Sequence, residues 1–132
     1  MGSPIIPGSK VIMQHFANIM TFRDLDHLRY IKQQLRFGGI ETMLFTCDTP
    51  SLTLDWGNVD NELMAVNFQW GAEQEIAALR AMRPNSPVIV SEFWAGWFDK
   101  WFEDQHNILS EESFEEILYN IFAHNASVNF YM

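Results

Sequence analysis

Cysteine and basic charge are scarce. Cys47 is the only cysteine among 132 residues, so the chain has no internal disulfide and no thiolate cluster, and its redox compartment stays open. Eight Lys plus Arg stand against seventeen Asp plus Glu, a formal charge of -9, which is the wrong sign for neutralising phosphates and excludes nucleic acid and anionic membrane surfaces as partners. No apolar run approaches the roughly 18 residues of a membrane span. The stretch Met1 to Gln14 has no basic start followed by a long apolar segment, so no export signal is expected in this chain. With no Gly-x-Gly-x-x-Gly or Gly-Lys-Ser/Thr pattern, and with His15, His27, His106 and His124 lacking ligand spacing, neither a metal nor an organic cofactor is expected. A complete (β/α)₈ barrel needs about 250 residues and is also excluded.

What remains is an apolar, aromatic chain: 48% hydrophobic, with eleven Phe, five Trp and three Tyr. Leu25, Leu28, Ile31 and Leu35 recur at helical spacing, and Gly38-Gly39 ends that helix. Thr42 to Thr46 reads as a buried strand closed by Asp48-Thr49-Pro50, and Leu63 to Phe68 as another. A helix over Glu73 to Met82 stops at Arg83-Pro84, and Val88-Ile89-Val90 is strand again. Ser110 caps a helix with Glu111 and Glu112 in its first turn and Phe114, Ile117, Leu118, Ile121 and Phe122 on its apolar face. Ser127 to Tyr131 forms a last strand, while Val11-Ile12-Met13 is a further candidate near the start. Alternation of short apolar runs with helices predicts parallel βαβ units, about five strands in all. Binding residues are then expected after Thr46, Val90 and Tyr131, at the carboxyl side of the sheet.

The most informative segment is Val88 to Trp101. Glu92 stands where a buried strand ends, and Trp94, Trp97 and Trp101 follow it, an aromatic density suited to stacking on the apolar faces of sugar rings. A carboxylate in that setting must find partners or shift its pKa, as at functional positions. The competing reading has the tryptophans packing a core and Glu92 paired with a base.

The same segment resembles the nucleophile-bearing strand and loop of glycoside hydrolase family 35, whose members are retaining β-galactosidases. Leu44-Phe45-Thr46-Cys47-Asp48 resembles the fifth barrel strand of that family, Met64-Ala65-Val66-Asn67-Phe68 the sixth, Pro87 to Trp101 the seventh and Ala126 to Met132 the eighth; Gly2-Ser3-Pro4-Ile5-Ile6 is similar to the opening of the fourth. The resemblance implies an α/β fold, a partial (β/α)₈ barrel over 1–132 that lacks the first three strands. It also implies Glu92 as nucleophile, Trp94 and Tyr131 as substrate-binding residues, and a β-galactoside or other carbohydrate as ligand.

One part of the pattern is missing. Aligning Gln14 with the Gln that precedes the family's Asn-Glu pair puts Ala17 at the Asn and Asn18 at the acid/base Glu, and an amide cannot donate and retake a catalytic proton. Asp48, Asp99 and His15 are weaker substitutes. Hydrolysis is therefore not expected from this chain alone, and whether it is an enzyme is left open. The alternatives are a catalytically silent carbohydrate-binding or scaffold protein and, less close to the motifs, a small flavodoxin-like α/β domain. Unpaired barrel edges offer a route to self-association. The resemblance implies a secreted or lysosomal setting. Asn125-Ala126-Ser127 fits the glycosylation pattern, with burial expected to block it.

Overall fold

The computed structural model describes residues 24–53, 59–60 and 62–131. The candidate strand at Val11-Ile12-Met13, His15 and Asn18 lie outside them.

Helix α1, Leu25–Phe37, begins where the Asp24 side chain accepts the His27 N–H at 2.9 Å, satisfying one of the otherwise unpaired donors of a helix start. It ends at Gly38, with Gly39 at φ 84°, a left-handed conformation that favours glycine. Leu28 is its buried residue. Strand β1, Phe45–Asp48, follows. It starts three residues later than the apolar pattern of Thr42 to Thr46 predicts, because Arg36 at the end of α1 donates to the carbonyls of Ile40 and Thr42, both at 2.8 Å. That clamp binds Thr42 into the turn, and Met43 is left exposed. At its other end the strand takes in Asp48, which the sequence places in the turn.

A short helix α2, Pro50–Thr53, sits in a stretch read from sequence as loop; Pro50 at its first position is the signal for it. Strand β2 is Leu63–Phe68, helix α3 Ala72–Met82, strand β3 Ile89–Phe93, helix α4 Glu111–Ala123 and strand β4 Ser127–Phe130. The Ser110 hydroxyl accepts the Ser113 N–H at 3.2 Å and so caps α4 as expected. The four strands among the described residues are parallel and adjacent in chain order, β1-β2-β3-β4.

The core lies on one face of this sheet. Met64, Val66 and Phe68 of β2 and Val90 and Phe93 of β3 pack with Ala72, Ile76 and Leu79 of α3 and Ile117 and Ile121 of α4. Phe93 stacks on Phe114, with ring centroids 5.5 Å apart. Phe122 departs from the expected apolar face of α4 and is exposed: it follows Ile121 by one residue, about 100° around the helix. Both long crossover helices therefore cover the same face, and strand order never reverses among the described strands, unlike the doubly wound flavodoxin-like arrangement.

Candidate active site

On the opposite face the strands carry small and polar side chains. Alternation puts Ala65 and Asn67 of β2 there, since their neighbours Met64, Val66 and Phe68 point to the helices. In β3 the alternation breaks. Val66 pairs with Val90 and Asn67 with Glu92, so the register shifts by one residue between them and Ser91 is the extra residue. This β-bulge lets Val90 and Phe93 both enter the helix-side core while Ser91 and Glu92 stay on the other side. The Ser91 hydroxyl donates to Cys47 Sγ at 2.8 Å and lies 3.4 Å from the Val66 carbonyl oxygen. Cys47 is enclosed, and burial pushes its thiol up to about 12, which makes it an inert packing group rather than a nucleophile.

Glu92 is buried with its carboxylate held in place: Trp94 Nε1 donates to Oε2 at 3.0 Å. Trp94 is in turn tied to the neighbouring strand through its backbone N–H, 3.0 Å from the Phe68 carbonyl oxygen. On the other flank, Tyr131 N–H donates to the Phe93 carbonyl at 2.9 Å, and Asn129 Nδ2 to the Ser91 carbonyl at 2.9 Å. These bonds bring the ends of β2, β3 and β4 together around Glu92. Tyr131 lies one residue past β4, half-exposed, beside the residue that follows Glu92.

A groove of about 480 Å³ opens at the ends of β1, β2 and β3, lined by Thr49, Leu52, Asn67, Gln69, Trp70, Trp94 and Trp97 among others; Trp94 links it to Glu92, while Glu92 and Tyr131 are not among its lining residues. Trp94 and Trp97 meet edge to face, with centroids 5.3 Å apart. Trp101 does not join them; it is 92% exposed, so neither an aromatic floor nor a core includes it. The sequence pattern does not single out Trp70, Leu52 or Asn67 as site residues. Asn67 carries a signal in retrospect, an amide inside an otherwise apolar strand, and Trp70 follows the strand by two residues.

The substitute acids are placed elsewhere. Asp99 belongs to the loop after β3, where it binds His106 Nδ1 at 2.6 Å and the Asn107 N–H at 3.1 Å; this pairing holds its carboxyl below the usual range and His106 above it. The loop is further closed at Gly96, where an added Cβ would meet the Asn107 carbonyl oxygen at 2.7 Å. Asp48 is buried at the end of β1, and burial pushes its carboxyl up to about 6, the Thr46 hydroxyl opposing part of that rise. It lies on the helix side with Thr46 and Met64, by the pairings Thr46 with Met64 and Asp48 with Val66, across the sheet from Glu92. Asn125 is exposed rather than buried, at φ 51° in the turn between α4 and β4; Ala126 is the buried residue of that tripeptide.

Residues 5–132 match the glycosyl hydrolases family 35. The chain belongs to that family. It is 36% identical to a human β-galactosidase over 113 residues, which covers 83% of this chain and 16% of that protein. A cat β-galactosidase is 33% identical over 138 residues, with 99% of this chain and 20% of that protein covered, and a rat β-galactosidase-1-like protein 3 is 29% identical over 109 residues, covering 83% and 17%. The chain thus spans about a sixth to a fifth of the length of these relatives. Among the described residues, no group of His, Cys, Asp or Glu is arranged to hold a metal ion, and no helix is long and apolar enough to cross a membrane.

Proposed function

We propose that the chain is the part of a retaining β-galactosidase barrel that carries the nucleophile, its four described strands being the fifth to eighth of a (β/α)₈ barrel. The observation that carries this reading is the bulge in β3, which delivers Glu92 to the carboxyl end of a parallel sheet and leaves it tethered by Trp94 with Tyr131 alongside. Consecutive strand order with both long helices on one face supports the barrel assignment.

In the proposed chemistry a Glu92 carboxylate oxygen bonds to the anomeric carbon of a terminal β-galactosyl group as the bond to the leaving oxygen breaks. The departing oxygen needs a proton, and water must later be deprotonated to release the sugar. A retaining pair keeps its two carboxyl groups about 5 to 5.5 Å apart for those tasks. With Asn18 at the aligned position, the chain by itself supplies the nucleophile without the acid/base. Trp94 fixes the attacking oxygen, and Trp94 and Tyr131 border the galactosyl group.

The test uses a 2-deoxy-2-fluoro-galactosyl donor whose leaving group departs without protonation. Mass spectrometry of the 132-residue chain is expected to find a covalent 2-deoxy-2-fluoro-galactosyl adduct on Glu92, absent in Glu92→Gln, with no turnover of simple alkyl β-galactosides. An adduct elsewhere, or none while galactose still binds, would favour the second reading: a catalytically silent carbohydrate-binding protein, motivated by Asn18.

A further inference from the structure

Beside the carboxylate, the groove between the ends of β1, β2 and β3 has a chemical character of its own. Its apolar lining includes Trp70, Leu52, Trp94 and Trp97. Trp70 and Leu52 are 57% and 62% exposed, so they present open apolar surface. Of the polar groups along it, Thr49, Asn67 and Glu75 are already engaged, and Gln69 adds one side-chain amide to the lining. The Thr49 hydroxyl donates to Asn67 Oδ1 at 2.8 Å, and the Glu75 carboxylate accepts from both the backbone N–H and the hydroxyl of Ser51. A hydroxyl-rich ring laid there would lose several water contacts and gain the Gln69 amide as its main protein partner in exchange. A flat aromatic ring would lose little and gain face and edge contacts with indole.

The groove is also joined to the reacting position. Trp94 lines it while its Nε1 holds Glu92, and Asn67, another lining residue, is the register partner of Glu92 on β2. A volume of about 480 Å³ falls within the range of small-molecule sites and holds one ring with substituents. We infer that this groove is the seat of the leaving group, and that it selects glycosides whose aglycone is aromatic, with Trp70 and Leu52 as the residues that set that preference. The inference rests on the reading of Glu92 as nucleophile for its orientation, but the aromatic seat itself stands on the groove.

Calorimetric titration of the full chain with methyl β-galactoside, lactose, 4-nitrophenyl β-galactoside and 4-nitrophenyl β-glucoside separates the cases. The nitrophenyl galactoside is expected to bind about tenfold more tightly than the methyl galactoside or lactose, and Trp70→Ala to remove that advantage while leaving the methyl galactoside unchanged. Leu52→Ala acts in the same direction to a smaller extent. Because both residues are exposed, loss of folding does not account for the effect, and circular dichroism of the variants checks it. Equal affinity for methyl and nitrophenyl galactosides overturns the aromatic seat and leaves the galactoside reading standing; tighter binding of lactose assigns the groove to a second sugar and overturns it too. If both nitrophenyl glycosides bind equally, in a Trp70-dependent way, and the methyl galactoside does not bind, the seat stands and the galactoside reading fails. If none of the four binds, both fail.

Discussion

The two faces of the parallel sheet obey different rules. Toward α3 and α4 the strands present Met64, Val66, Phe68, Val90 and Phe93, and what holds them is non-directional: apolar surface removed from water and rings in contact. On the other side Cys47, Asn67, Ser91 and Glu92 are held by directional bonds, Ser91 to Cys47, Thr49 to Asn67 and Trp94 to Glu92. A packed face tolerates changes of shape in proportion to the volume lost. A bonded face keeps its atoms in place to within a hydrogen bond, which a reacting carboxylate requires. The bulge in β3 is the device that makes both possible in five residues, since it allows two consecutive side chains to leave the packed face without vacating it.

The contrast breaks most visibly at Phe93. It is fully buried and in contact with the rings of Phe68, Phe114 and Phe130, so Phe93→Ala is expected to lower unfolding free energy by about 3–5 kcal/mol, measured by urea titration. A loss under about 1 kcal/mol would show that the packed face is not continuous across β3. Asp48 sharpens the comparison because it is a carboxyl on the packed side. Burial raises its folded pKa to about 6 from the ordinary carboxyl value of 3.8, so the folded chain holds this proton at pH values where the unfolded chain has released it. Stability therefore falls as pH rises between those two values and stays reduced above about 6. Asp48→Asn cannot ionise, and its advantage over the parent chain is expected to be absent near pH 3.5 and to grow to as much as about 3 kcal/mol by pH 7.5. An advantage of the same size at both pH values would remove ionisation as its cause.

The smallest effect belongs to the bonded face. Ser91→Ala deletes one hydroxyl that donates to Cys47, and denaturation is expected to register about 1 kcal/mol. The informative readout is the adduct rate at Glu92, which is expected to fall more than this loss of stability would lead one to expect if the bulge orients the carboxylate. An unchanged adduct rate would reduce Ser91 to a packing residue.

Much of this architecture can be read directly from residue order. The period of α1, the caps at Asp24 and Ser110, and the apolar runs of β2 and β3 are local signals, each generated by backbone geometry within one turn or one strand. The failures are equally specific. β1 starts late because Arg36 captures the Thr42 carbonyl, a contact made by a long side chain that no propensity reports. Phe122 is apolar and helical yet exposed, because burial depends on which arc of α4 meets the sheet. A carboxylate set among aromatics marks Glu92 and Trp94, and resemblance alone marks Tyr131. Neither marks Trp70, Leu52 and Asn67 as site residues, since the groove joins them only when three strand ends lie side by side.

Residue order by itself determined the alternation of strands and helices, the parallel sheet and the membership in a family, because periodicity, capping and motif spacing are properties of neighbours along the chain. Tertiary structure decided which side of the sheet each residue serves, the one-residue slip that turns Ser91 and Glu92 away from the core, and the aromatic groove at their side. Those depend on register between strands, and register is set by the packing of distant segments against one another.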